Sequence, residues 1–160
     1  MNKTMLSGLI VFGLFAGGIV QAQTCATPIP LSSNTAVNGN TCVAPTGTGV
    51  NSLPGYGSVP SPQTEIVYSF VAQGANGSVT VTDTGAFGAT VVLMPSPCAS
   101  GTDILAAGAA GTPMPLTGLT NGQTYYLIVT GDPGGPANAC GAFTMTPPTL
   151  PVSLQGFSVE

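Results

Sequence analysis

Hydrophobic and polar residues alternate with a period of two through much of the second half of this chain. Residues 65–72 (EIVYSFVA) place Ile66, Tyr68 and Phe70 on one face, and residues 78–83 set Val79 and Val81 against Thr80 and Thr82. Residues 124–130 (TYYLIVT) put Tyr125, Leu127 and Val129 opposite Tyr126 and Ile128, and residues 142–146 turn Phe143 and Met145 inward. Alternation of this kind, rich in β-branched and aromatic side chains, predicts strands with one face on a core. Residues 89–94 (ATVVLM) are apolar almost throughout, as a fully buried strand would be.

Turn residues punctuate these runs. Asn-Gly pairs at Asn38-Gly39, Asn76-Gly77 and Asn121-Gly122 stand beside strand patterns and predict tight turns. No helical periodicity is visible after residue 22. The alanines of residues 106–110 suggest a helix, but Gly108, Gly111 and Pro113 make a short strand and loop the better reading. Residues 45–62 form a long polar, glycine-rich stretch, read as an ordered surface loop with disorder as the alternative. The fold class expected is all-β: an antiparallel β-sandwich over residues 23–146, with residues 147–160 as a carboxyl-terminal extended tail or strand.

The amino terminus changes the picture of where this sandwich works. Lys3 precedes an apolar run from Met5 to Val20, and Val20-Gln21-Ala22 has the small-x-small form of a cleavage site, so residues 1–22 read as a signal peptide and Gln23 as the first mature residue. A membrane anchor is the alternative, but the run holds four glycines and falls short of the roughly 20 residues a bilayer needs. A lipid anchor on Cys25 would need a different preceding pattern. Secretion to the cell surface or beyond is the destination expected.

Charge excludes whole classes of chemistry. Lys3 is the only basic residue and the chain has no histidine, so the mature chain offers no histidine base, lysine nucleophile or arginine clamp. The acids are Glu65, Asp83, Asp103, Asp132 and Glu160. Nucleic acid is excluded as a partner because phosphate binding relies on Lys and Arg, and an anionic membrane surface for the same reason. Solvation must come from hydroxyls and amides, and residues 23–160 include 20 threonines and 11 serines.

Four cysteines, Cys25, Cys42, Cys98 and Cys140, in an exported chain without histidine read as two disulfides. No C-x-x-C pair points to a metal site. Of three connectivities the favoured one joins Cys25 to Cys42 and Cys98 to Cys140. Calcium has only Asp83, Asp103 and Asp132 as central candidates, each beside Gly, Thr or another turn residue, and no tight site is expected. No metal and no cofactor is assigned.

Several motifs together resemble the bacterial pre-peptidase C-terminal (PPC) domain. They are Glu65-Ile66-Val67-Tyr68-Ser69-Phe70, Gly85-Ala86-Phe87 followed by Val91-Val92-Leu93, and Cys140-Gly141-Ala142-Phe143-Thr144-Met145. The most specific is Leu-x-x-Gly-x-Tyr-Tyr-x-x-Val, carried by Leu119, Gly122, Tyr125, Tyr126 and Val129. The resemblance spans about residues 29–146. It implies a jelly-roll-like β-sandwich of secreted proteins that is not itself catalytic, with relatives similar to carbohydrate- or collagen-binding modules and some that bind calcium. This chain departs from the pattern in having few acids near its amino terminus.

The functional expectation is a non-enzymatic, secreted structural or interaction protein of the bacterial cell surface or extracellular matrix. The alternative is a secreted carbohydrate-binding accessory module. An enzyme is disfavoured because no two carboxylates are spaced as a glycosidase pair would suggest. The candidate stacking ring for a sugar is Tyr56 on the glycine-rich loop, whereas Tyr125 is better read as core. In the tail, Val152 and Leu154 alternate, and Gly156 offers a bulge that brings Phe157 and Val159 into phase. That segment is read as a strand that either covers its own sandwich or pairs with another copy to build a homo-oligomer or fibre. The candidate partners are therefore the chain itself and an extracellular polysaccharide.

Overall fold

The computed structural model describes residues 24–31, 35–44, 64–85, 87–98, 104–132, 135 and 139–148, and the backbone of 52–53 and 57–58. The expected signal peptide (residues 1–22), Gln23, Tyr56, Asp103 and the tail from residue 149 lie outside the described residues. Eleven strands follow in order: β1 (Ile29–Pro30), β2 (Val37–Asn40), β3 (Ser52–Leu53), β4 (Gly57–Ser58), β5 (Ile66–Val71), β6 (Asn76–Asp83), β7 (Thr90–Pro95), β8 (Ala106–Ala109), β9 (Met114–Thr117), β10 (Thr124–Thr130) and β11 (Ala142–Thr146). One 3-10 turn, Thr41–Val43, follows β2.

The strands form a β-sandwich. One sheet has the order β1-β5-β10-β7-β8 and the other β2-β11-β6-β9, with β3 and β4 a separate short hairpin inside the glycine-rich stretch. Pairing is antiparallel everywhere except between β1 and β5. The predicted inward faces meet between the sheets: Ile66, Tyr68, Phe70, Val91, Leu93, Leu127 and Val129 from one, Val79, Val81, Phe143 and Met145 from the other. Each such side chain removed from water contributes roughly 1.5–3 kcal/mol, which is why the period-two pattern decides the layers. Tyr68 and Phe143 meet edge to face across the layers, with centroids 6.4 Å apart, and Phe70 stacks on Tyr125 at 5.9 Å.

A second apolar cluster lies on the outer side of the larger sheet. Val67, Val92, Met94 and Ile128 are all buried there, with Cys98, Ile104, Ala107 and Tyr126 packed against them. The unbroken apolar run of β7 is explained by this double coverage, since its residues 90–94 are buried whichever way they point.

Two turn expectations are corrected. Asn38-Gly39 lies inside β2 and Asn76-Gly77 begins β6, so neither is a hairpin turn. Gly39 is needed in β2 because a side chain there would strike the ring of Phe143 across the ladder. Asn121-Gly122 is a turn, with Gly122 at φ +80°, a conformation that glycine adopts without steric cost. Strand β9 follows Pro113 and contains Pro115, which is tolerated because β9 is an edge strand.

Candidate functional site

The register between β2 and β11 brings the carboxyl-terminal half of the chain back onto its beginning. Asn40 lies opposite Ala142, so Thr41 falls opposite Gly141 and Cys42 opposite Cys140. The Thr41 N–H donates to the Gly141 carbonyl at 2.9 Å, and the Gly141 N–H donates to the fully buried Thr41 hydroxyl at 3.0 Å. Gly141 has no room for a side chain, since a Cβ would meet the ring of Phe87. The disulfide Cys42–Cys140 continues this zipper, with Cα atoms 4.8 Å apart.

The other bridge is Cys25–Cys98, with Cα atoms 5.5 Å apart. The expected pairing of Cys25 with Cys42 and Cys98 with Cys140 is therefore wrong. β1 joins β5 in one sheet while β2 joins β11 in the other, so the short loop from Cys25 to Cys42 crosses between layers. Cys98 follows β7 and turns back over the outer apolar cluster, where it meets the amino-terminal segment rather than the start of β11. The two bridges interleave along the chain, one tying the amino-terminal segment to the loop after β7 and the other tying the end of β2 to the start of β11.

At one end of the sandwich lies an open cavity of about 410 Å³, lined by Asp83, Thr90, Ala109 and Asp132 among others. Asp83 is committed to holding the loop between β6 and β7, because its Oδ2 accepts the Ala89 N–H at 3.0 Å. The Asp132 carbonyl accepts the Gly135 N–H at 2.9 Å, and its side chain fills the space beside Gly88, which stands at φ +62°. Asp83, at the end of β6, and Asp132, just after β10, thus each help to fix an adjoining loop. Among the described residues no group of three or more acid, cysteine or histidine side chains gathers in a way that would hold a metal ion.

The tyrosines sort by layer. Tyr125 is buried, and its hydroxyl accepts the Thr120 N–H at 2.9 Å, which ties the turn before β10 to the core. Tyr126 lies half-buried against the outer cluster, so neither ring stands free for stacking. Tyr56 and the tail residues Val152, Leu154, Phe157 and Val159 fall outside the described residues.

The outer face of the smaller sheet carries a polar lattice that sequence reading did not single out. Thr80 stands opposite Thr146 and Thr82 opposite Thr144, with Asn38 next in the row. Thr144 Oγ1 donates to Asn38 Oδ1 at 2.7 Å, and Thr82 Oγ1 donates to the Thr144 carbonyl at 3.3 Å. The repeated Thr-x-Thr of β6 and β11 was the available signal, but only the register shows that the two copies align.

No family model matches the chain, and no curated protein matches it. Among solved structures, the chain is similar to the pre-peptidase C-terminal domain of a collagenase from Bacillus anthracis, at 20% identity and a TM-score of 0.46, over 74% of this chain and 91% of that one. It is also similar to the Yersinia pseudotuberculosis-derived mitogen, at 9% identity and a TM-score of 0.43, over 76% of this chain and 91% of that one. The likeness is one of fold alone.

Proposed function

We propose that this chain is a non-enzymatic, secreted structural or interaction protein of the bacterial cell surface or extracellular matrix, which assembles with copies of itself by strand addition. The observation that carries this reading is the combination of two interleaved disulfides with a sheet face solvated by threonine and asparagine. Paired cysteines fit an oxidising compartment. A face of hydroxyls and amides stays wet without lysine or arginine and leaves few sites for basic-specific proteases, properties suited to a persistent extracellular material. The lining of the cavity beside Asp83 holds two aspartates but no histidine, lysine or arginine to pair with them.

Electron microscopy and sedimentation of the purified residues 23–160, at concentrations from micromolar upward, test the reading. Filaments or concentration-dependent oligomers are expected. A strict monomer that sediments with insoluble polysaccharides would instead support the accessory-module reading.

A further inference from the structure

Resting on that self-assembly reading, we infer that the tail residues 152–159 of one copy dock as an added strand on the open edge of β2 (Val37–Asn40) of a second copy. The argument begins with which edges are available. Among the described residues the sandwich has four edge strands: β1, β8, β2 and β9. β1 has two residues, one of them Pro30, and β9 contains Pro115. β8 is folded against β9, where Gly108 admits the side chain of Met114. That leaves β2, which contains no proline and no charge, the usual guards of an exposed edge.

The ladder shows which β2 groups face outward. Thr41 and Gly141 form a hydrogen-bonded position, so by antiparallel alternation Gly39 and Val37 bond to β11, and the backbone groups of Asn38 and Asn40 point the other way. No described residue bonds to those outward backbone groups. Val37 of β2, and Ile29 and Leu31 at and just after β1, the edge strand of the other sheet, are only partly buried against the core. They offer an apolar seat for alternate side chains of an incoming strand.

The occupant follows from the chain that remains. The described residues end at Pro148, and residues 149–160 follow, with no charge before Glu160 and apolar alternation through Val152, Leu154, Phe157 and Val159. β11 already has β2 and β6 on its two flanks, so the tail cannot return as a hairpin beside its own preceding strand. The connection is Pro147-Pro148-Thr149-Leu150-Pro151. Proline fixes its own φ and biases the residue before it to extended conformations, so this spacer resists reversal and, at about 3.1 Å per residue, carries the tail some 15 Å onward. Such a spacer favours delivery of the tail to the β2 edge of another copy over its return to its own. Because donor and acceptor are different surfaces, the contact is heterologous, and it propagates head to tail unless its rotation closes a ring or two copies exchange tails.

The test uses complementary variants of residues 23–160. Deleting residues 150–160 leaves an acceptor edge without a donor, and Asn38→Pro leaves a donor without an acceptor, since it removes an outward N–H while sparing the backbone bonds to β11 and giving up only the side-chain bond from Thr144 Oγ1. Each alone should be monomeric by analytical ultracentrifugation, and an equimolar mixture should give a heterodimer and nothing larger. Asn38→Lys, which keeps the N–H and adds the guard charge, should weaken assembly at least tenfold and covers the case in which the proline variant does not fold. Oligomers that persist in both Asn38 variants would overturn β2 as the acceptor while leaving self-assembly intact. A parent protein that stays monomeric at every concentration overturns both, and a deletion variant that loses thermal stability reveals a tail that covers its own domain.

Discussion

The ring of Phe143 occupies the space that a side chain at Gly39 would need. The two residues are directly opposed in the ladder between β2 and β11, and a Cβ at position 39 would collide with the Phe143 ring and touch the Tyr68 hydroxyl. Bare backbone at Gly39 thus lets Phe143 stand edge-on to Tyr68 and seals the side of the sandwich where the two sheets meet. Gly39→Ala should destabilise the domain by about 1–3 kcal/mol, the cost of overpacking a filled core. Urea denaturation measures it, and Phe143→Leu in the same background should return part of the loss. An alanine at 39 that leaves the midpoint unmoved would show that the ring has another place to go.

Digestion of the unreduced protein by pepsin, followed by mass spectrometry, should yield one linked pair containing Cys25 with Cys98 and another containing Cys42 with Cys140. The sequence separations are 73 and 98 residues. In the chain-entropy model loops of that length stabilise by about 4–5 kcal/mol each, though the interleaved bridges will not add independently. Replacing Cys42 and Cys140 together with serine should therefore cost several kcal/mol and loosen the start of β11 first. Linked peptides joining Cys25 to Cys42 would contradict the register of β2 on β11.

Alkaline stability should depend on one core tyrosine. Burial pushes the Tyr68 hydroxyl up to about 12 from an ordinary value of 10.0, because the phenolate would lose its solvation between the sheets. The unfolded chain then releases this proton at a lower pH than the folded one. Below pH 10 both forms hold the proton and the group has no effect. As pH rises from about 10 to 12 folding loses on the order of 2–3 kcal/mol through this group. Stability measured at pH 9 and pH 11 should fall less in Tyr68→Phe than in the parent. Parallel falls in the two proteins would assign the loss elsewhere.

Thr130 is fully buried at the end of β10, and its hydroxyl meets no hydrogen-bond partner. An unsatisfied buried hydroxyl costs about 1–3 kcal/mol, so Thr130→Val, which keeps the shape and removes the polar atom, should stabilise by about 1 kcal/mol. Thermal unfolding should show a rise of a few degrees. A lower melting temperature would mean that the hydroxyl is satisfied in solution.

The period-two pattern by itself determined the strands of the core and the direction each face points. Ile66, Val81, Leu127 and Met145 lie inward because water rejects them wherever the chain folds, and that preference is written locally. Export-type cysteine usage and the lack of basic residues were likewise legible, since composition carries them. Partner choice was not. Val37-Asn38-Gly39-Asn40 reads as a turn, because its glycine and asparagines are poor strand formers in isolation, and it becomes a strand only when β11 supplies a ladder and Phe143 fills the place of a side chain. With β2 hidden, the pairing of Cys42 with Cys140 across nearly the whole domain could not be read, and the short loop to Cys25 was favoured instead. The tertiary structure decided against that loop because it assigns β1 and β2 to different sheets, and a disulfide forms where the register brings two Cα atoms within reach, whatever their separation along the chain.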